Sequence, residues 1–223
     1  MAEPEPGQLT GPVVGTAWMR PVAAAAGLAV PAGAVVMLVA LAAAPGPWTT
    51  GYVSEAGTAG QPYAVPYRWG LVLLAAGVAL LALALRRHRA AAALLGAAAL
   101  LAGTSAVVPC SGGCPLPPYQ PATPADLVHA GASVAGMVLL AGAMAAVARA
   151  DLPRMVRRVA AASAVVIVPI GAALGLTMLV VGRGPVGAVL ERLVLVVAVT
   201  WLTGTAVALA LSRPGGRSIP ARR

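Results

Sequence analysis

Residues 69–108 read WGLVLLAAGVALLALALRRHRAAAALLGAAALLAGTSAVV, which is two apolar runs separated by a short basic turn. A helix of about 20 apolar residues is long enough to cross the hydrocarbon core of a bilayer. The turn between the runs carries Arg86, Arg87 and Arg89. The stretch therefore predicts two transmembrane helices, over 69–85 and 90–108, joined on one side of a membrane.

The same pattern extends over most of the chain. Of its 223 residues, 60% are hydrophobic and 9% are charged, which is more apolar surface than one soluble core could bury. We therefore expect an all-α integral membrane bundle of six transmembrane helices. The apolar stretches that predict these helices are 22–44, 69–85, 90–108, 126–148, 159–181 and 188–211.

Three regions follow from these stretches. Residues 22–211 form the transmembrane domain, and the segments 1–21 and 212–223, rich in Pro, Gly or Arg, have the composition of disordered tails. Ala42–Ala44 resembles a signal-peptidase site. Because the apolar stretch before it is too long for a signal peptide, we expect the first helix to be retained.

The arginines predict the orientation in the membrane. With the amino terminus in the cytoplasm, only Arg68, Arg183 and Arg192 of the 15 basic residues lie outside, as the positive-inside rule requires. Both termini are then cytoplasmic, and we expect a multi-pass protein of the bacterial plasma membrane. The net charge of +9 follows this topology instead of forming one basic face, so we expect membrane lipids as partners and no nucleic acid.

Six ionisable residues fall where the predicted helices meet the extracytoplasmic side. The two outer loops next to them, 45–68 and 109–125, are long and contain every tyrosine of the chain. Long loops of this kind are often functional. We expect a ligand-binding pocket on this side, lined by Glu55, Arg68, Asp126, His129, Glu191 and Arg192.

The aromatic residues of the outer loops have two interpretations. They could form a belt at the depth of the lipid headgroups, or they could form the wall of a ligand site. The residues concerned are Trp48, Tyr52, Tyr63, Tyr67, Trp69 and Tyr119.

Asp126 and His129 stand three residues apart at the start of the fourth helix and so share one helix face. A carboxylate in this position can orient an imidazole for acid–base chemistry. The alternative is a capping box, with Thr123 at the N-cap, Pro124 in the first turn and Asp126 bonding back to a backbone amide. The sequence leaves both open.

Cys110 and Cys114 are the only cysteines and lie on an outer loop. Oxidising compartments favour disulfides, and the two glycines between them let the backbone close a small ring. We expect a structural disulfide; a redox-active pair and half of a metal site are the alternatives. Since no H-E-x-x-H motif and no paired C-x-x-C motif occurs, we expect no metal and no cofactor.

Small residues predict close packing between helices. Gly171 and Gly175 form a G-x-x-x-G pair, a spacing that lets two helix backbones approach each other. The pair does not distinguish packing within one chain from a homo-oligomer or a membrane-protein partner. Pro31 and Pro169 fall inside predicted helices, where they allow kinks.

Three short motifs occur in order along the chain: Ser54-Glu55-Ala56-Gly57, then Val108-Pro109, then Asp126-Leu127-Val128-His129. Over about residues 22–211 this order resembles the bacterial membrane family catalogued as domain of unknown function 998. The resemblance implies a six-helix bundle and matches Ser54, Glu55, Pro109 and His129. It implies no reaction.

Three functions are compatible with the sequence. The first is an extracytoplasmic pocket that binds, or helps to move, a lipid headgroup or another small polar molecule. The second is a membrane-embedded hydrolase or transferase in which His129, oriented by Asp126, acts as base and Ser54 as nucleophile. The third is an accessory subunit of a larger membrane complex.

Overall fold

The structure, a computed structural model, describes residues 18–44 and 51–212. Within these ranges it contains six α-helices, one short 3-10 helix at Val53–Gly57 and no strand. All six helices are long and apolar enough to cross a membrane, which confirms the predicted all-α, six-span architecture. They are α1 Met19–Ala43, α2 Ala64–Ala84, α3 Arg89–Val107, α4 Pro124–Arg149, α5 Arg154–Val180 and α6 Pro185–Leu211.

Several helices begin before their apolar stretch. The first five residues of α2 include Pro66 and Arg68, and those of α5 include Arg154 and Arg157. Polar residues are tolerated there because a helix end reaches into the membrane interface. Since α1 begins at Met19, the boundary expected at residue 21 falls within the helix; most of the two expected tails lies outside the described residues.

The helices form a ring in chain order. Each helix packs against its neighbours in sequence, and α6 returns to pack against α1. The short connections 85–88, 150–153 and 181–184 make the helices that they join antiparallel, so the ring has two distinct ends. We call the end with residues 85–88 and 150–153 the arginine end, and the end with residues 51–63, 108–123 and 181–184 the loop end.

The arginine end carries most of the described arginines. There Arg86 stacks on the Trp18 ring at 4.2 Å, and the Arg20 Nε–H donates to the Ala210 carbonyl at 2.9 Å, which ties α1 to α6. Arg68, Arg183 and Arg192 lie at the loop end, as the sequence indicates. That the arginine end faces the cytoplasm stays a prediction.

Glycines bring α1 and α2 into backbone contact. A Cβ atom on Gly33 would lie 2.5 Å from the Gly70 carbonyl oxygen, and one on Gly77 would lie 2.9 Å from the Val30 amide nitrogen. The G-x-x-x-G pair of α5 behaves differently, because a Cβ on Gly171 or Gly175 would meet no atom within 4 Å. Among the described helical glycines, those of α1 and α2 therefore make the tightest contacts with another helix, and a homo-oligomer contact at α5 stays a prediction.

The main hydrophobic core fills the half of the ring nearer the arginine end. Its large members include Leu81, Leu95, Met144 and Trp201, which are all buried. Trp201 thus packs inside the bundle and does not face lipid. Side chains fill the half nearer the loop end less completely and leave a cavity between the helices.

Candidate functional site

A cavity of about 540 Å³ occupies the centre of the ring toward the loop end. All six helices contribute to its wall, which consists mostly of Leu, Val, Ala, Met and Gly. Polar side chains enter the wall only in its part nearest the loop end. They are Tyr52, Ser54, Tyr67, Ser105, His129, Ser133 and Glu191, next to the sulfur of Cys114.

The cavity reaches the outer surface of the bundle between α4 and α5. Val138 of α4 and Val168 of α5 both line it, yet their side chains are 66% and 57% exposed. Gly171 and Gly175 line the same region, with open space where a Cβ would stand. In a bilayer, a gap at this position faces the lipid acyl chains.

His129 lines the cavity and has one buried ring nitrogen without a hydrogen-bond partner among the described residues. Its Nδ1 atom lies 3.1 Å from the Ser105 carbonyl oxygen and 2.9 Å from that of Val108. Because carbonyls only accept, Nδ1 is the donor in both contacts, and Nε2 is the ring nitrogen left to accept a hydrogen bond. The side chain is 6% exposed, and Nε2 has no hydrogen-bond partner among the described residues. It is therefore a buried acceptor without a donor.

Asp126 caps α4 and does not orient His129. One oxygen accepts from the Thr123 amide at 2.8 Å and the Thr123 hydroxyl at 2.7 Å, and the other accepts from the Ser111 amide at 2.6 Å. The capping box with Thr123 and Pro124 is therefore confirmed. The alternative contact between carboxylate and imidazole does not form, because loop amides bind the carboxylate and helix-end carbonyls bind the imidazole.

Glu191 joins α6 to the 3-10 helix. Its Oε2 atom accepts from the Val53 amide at 2.6 Å, and its side chain lines the central cavity. Arg192 points elsewhere, as adjacent helix positions must. One of its Nη1 hydrogens reaches the Gly51 carbonyl at 3.0 Å, and the same nitrogen also donates to Ala188 at 2.7 Å. Glu191 is thus a wall residue, and Arg192 fastens the loop.

Glu55 pairs with Arg183, which the sequence did not place in the site. The guanidinium donates from Nε to Oε1 and from Nη2 to Oε2, each at 2.6 Å, and Oε1 also accepts from the Tyr52 amide at 2.9 Å. The hydrogen bond to Glu55 raises the pKa of Arg183 above its usual range. Burial, followed by the charges of Glu191 and Glu55, raises the pKa of Tyr52.

We expect Arg183→Ala to lower the free energy of unfolding by less than about 1 kcal/mol, since this ion pair is part-exposed and screened by salt. Glu55→Ala should cost more, because it also removes the acceptor of the Tyr52 amide. Thermal unfolding of both variants in low and high salt measures this. An Arg183 variant that loses more stability than the Glu55 variant would contradict the assignment.

Arg68 completes the set of residues predicted for the site. Its Nε–H donates to the Gly57 carbonyl at 2.8 Å and so holds the end of the 3-10 helix against α2. Of the six ionisable residues, His129 and Glu191 line the central cavity, while Glu55, Arg68, Asp126 and Arg192 connect the loop end to the helices. A ligand-binding role for these residues stays a prediction.

Cys110 and Cys114 are joined by a disulfide, as predicted. The Ser54 hydroxyl lies 3.3 Å from the Cys114 sulfur, and both sulfurs lie within 4.8 Å of a ring nitrogen of His129. In the part of the chain that the structure describes, no hydrogen bond joins Ser54 to His129. The Asp126–His129–Ser54 series that a hydrolase would need is therefore not assembled as a hydrogen-bonded chain.

The aromatic residues divide between core and surface. Tyr52 and Tyr67 are buried. The Tyr67 ring packs so closely against Gly57 that a Cβ added there would lie 2.6 Å from a ring carbon. Tyr63, Trp69 and Tyr119 are exposed, and Trp48 lies outside the described residues. The exposed side chains suit a headgroup belt, and the two buried tyrosines form part of the cavity wall.

The sequence matches the model of one protein family. A family model described as "Protein of unknown function (DUF998)" matches residues 23–208. The chain belongs to the DUF998 family. No curated protein and no solved structure matches it. The expected family is thus confirmed, and it adds no reaction.

In this DUF998 protein the residues that carried the resemblance meet at the loop end. Ser54 contacts Cys114, Glu55 caps the 3-10 helix, and the Val108 carbonyl before Pro109 accepts from His129. Sequence reasoning missed Arg183 as the partner of Glu55 and Ser111 as a partner of Asp126. Arg183 could have been suspected, because it is one of only three arginines on that side of the predicted topology. Nothing in the sequence singles out Ser111.

Proposed function

We propose that this DUF998 protein binds one amphipathic, hydroxyl-bearing lipid in the central cavity, with the chain inside the ring and the hydroxyl beside His129. The observation that carries this is an apolar cavity of about 540 Å³ whose polar groups stand only near the loop end. From His129 to Ala141 its wall follows α4 for about 18 Å at a rise of about 1.5 Å per residue. That length suits an extended hydrocarbon chain.

The polar end must supply the selectivity. A hydrocarbon chain gains little by moving from bilayer to cavity, because both surroundings are apolar. A buried acceptor without a donor costs roughly 1–3 kcal/mol, so a ligand hydroxyl that donates to His129 Nε2 recovers this energy. Arg68 and Arg183 are engaged by Gly57 and Glu55, which favours an uncharged hydroxyl over a phosphate.

The ligand would enter from the side. The gap between α4 and α5 is bordered by exposed valines and by two glycines, so a lipid in the bilayer can reach the cavity without crossing the loops. We further propose that the protein resides in the bacterial plasma membrane with its arginine end in the cytoplasm. The distribution of arginines supports that orientation.

Filling the cavity tests the proposal. The double variant Gly171→Leu/Gly175→Leu puts side chains into open space and should remove bound lipid while the protein stays folded. Native mass spectrometry of the purified protein measures co-purified lipid. Thermal shift with dioleoylglycerol, compared with dioleoylphosphatidate, measures the preference for a hydroxyl headgroup.

The matched control is Gly204→Leu. A Cβ at Gly204 also meets no atom within 4 Å, but this glycine is exposed on α6 and does not line the cavity. The control should retain lipid as the wild type does. If the filled variant keeps the same lipid and the same thermal shift, the cavity is not the binding site. Stronger stabilisation by dioleoylphosphatidate would reject the hydroxyl preference.

A further inference from the structure

A second site lies at the loop end of the cavity, where three metal-binding side chains converge. We propose that Cys110, Cys114 and His129 form a Cu(I) site when the disulfide is reduced. Both sulfur atoms and a ring nitrogen of His129 lie within 4.8 Å of one another. Metal ligands sit about 2.0–2.3 Å from their ion, so small movements bring all three donors to one centre.

The hydrogen bonds of His129 resemble those of metal-ligating histidines. Metal-ligating histidines usually donate their other ring N–H to a carbonyl or carboxylate, which fixes the tautomer and the ring orientation. Here Nδ1 donates to the carbonyls of Ser105 and Val108, both on the segment that ends α3. Nε2 keeps its lone pair, is buried and has no partner among the described residues. The His129 ring thus stands beside two sulfurs and keeps one nitrogen free of hydrogen bonds among the described residues.

The donor set favours Cu(I) over other ions. Thiolates are soft ligands that select Cu(I) or Zn(II) within proteins, and structural zinc sites almost always have four ligands. The cluster supplies two sulfurs and one nitrogen. The Met178 side chain, a thioether, packs against the buried cluster of Tyr52, Cys110 and Cys114. A three-coordinate site bordered by another soft sulfur suits a monovalent copper ion.

The disulfide controls the site, because the sulfurs cannot bind copper while they are bonded to each other. A dithiol reductant would transfer two electrons and two protons, breaking the S–S bond and closing its own disulfide. Cu(I) would then displace the two thiol protons and form two Cu–S bonds and one Cu–N bond. Ser111 and Gly112, between the cysteines, are exposed, so a reductant and copper can reach this turn from the loop end.

This inference is independent of the lipid proposal, although both involve Nε2 of His129. The lipid hydroxyl would use this atom in the disulfide form, and copper would use it in the reduced form. Copper binding does not depend on Gly171 or Gly175. The cavity-filled variant should therefore lose lipid and still bind copper, so failure of one proposal is distinguishable from failure of the other.

The test uses full-length protein in detergent, reduced with a phosphine under argon and then freed of reductant. Competition with the coloured Cu(I)–bicinchoninate complex should show one Cu(I) bound per reduced chain and none per oxidised chain. Cys110→Ser/Cys114→Ser should weaken binding by more than the roughly 10- to 100-fold cost of losing an outer-shell partner. His129→Gln should weaken it as well.

Ser54→Ala is the graded comparison, since its hydroxyl contacts Cys114 without belonging to the donor set. It should weaken Cu(I) binding by no more than the roughly 10- to 100-fold cost of an outer-shell partner, and by less than the double cysteine variant. X-ray absorption of the wild-type complex should show two sulfur neighbours and one nitrogen neighbour, a result that needs no variant to fold. The proposal is overturned if the reduced protein leaves copper with bicinchoninate, or if Cys110→Ser/Cys114→Ser binds Cu(I) as tightly as the wild type. Absence of a sulfur neighbour from the X-ray absorption spectrum would also overturn it. Preference for Zn(II) in direct competition would also reject it.

Discussion

Asp126→Ala should lower the free energy of unfolding by about 3 kcal/mol. The carboxylate is 1% exposed and accepts from the Ser111 and Thr123 amides at 2.6 and 2.8 Å, and from both hydroxyls of the same residues. Each donor that loses a buried partner costs roughly 1–3 kcal/mol, and loss of a helix cap costs about 1 kcal/mol. Equilibrium unfolding of the purified protein measures the change.

Two controls isolate the role of the carboxylate. Asp126→Asn keeps one acceptor oxygen and should lose less stability than the alanine variant. Asp151→Ala removes an exposed carboxylate at the arginine end and should change stability by no more than about 0.5 kcal/mol. Equal losses at positions 126 and 151 would show that the bonds to Ser111 and Thr123 do not stabilise the loop end.

Gly33→Ala is expected to have the second large effect, a loss of about 1–3 kcal/mol typical of overpacking. The new Cβ would lie 2.5 Å from the Gly70 carbonyl oxygen and 2.6 Å from the Leu74 amide nitrogen. Both atoms belong to the α2 backbone, so no side-chain rotation relieves the contact. The two helices would have to move apart, which weakens the contacts that small residues provide between membrane helices.

Gly204→Ala is the corresponding control, because a Cβ there meets no atom within 4 Å and Ala is the better helix former. It should leave stability unchanged or raise it slightly. Denaturant or thermal unfolding in the same detergent compares the two variants. If Gly33→Ala is as stable as Gly204→Ala, the close approach of α1 and α2 does not exist in the folded protein.

Much of the loop-end site was predictable wherever the interaction is local. Thr123 and Asp126 are three residues apart, so their capping box follows from the sequence of one helix start. The disulfide joins cysteines only four residues apart across two glycines. The loop-end residues of the site were also placed at one end, because hydropathy and arginine distribution assign each loop to a side.

Interactions between distant segments were not predictable. Glu55 pairs with Arg183, 128 residues later, and His129 bonds to carbonyls 24 and 21 residues earlier. The Asp126–His129 contact, which the sequence left open beside the capping box, does not form because neighbours on one helix face compete with partners on other elements. The expectation of no metal site relied on ligand spacing along the chain, and that spacing does not reveal donors brought together from α4 and the loop before it.

The sequence by itself determined that this protein is a six-span helical membrane protein of the DUF998 family. Each span depends on the apolarity of its own 20 or so residues. A helix in a bilayer forms its backbone hydrogen bonds within itself, whatever helices stand beside it. Only the tertiary structure decided which side chains face the central cavity, that Gly33 and not Gly171 makes the tight helix contact, and that two cysteines stand beside the ring of His129. Those features depend on how six similar apolar helices rotate against one another, and their nearly uniform surfaces of alanine, leucine and valine do not encode that rotation in any local pattern.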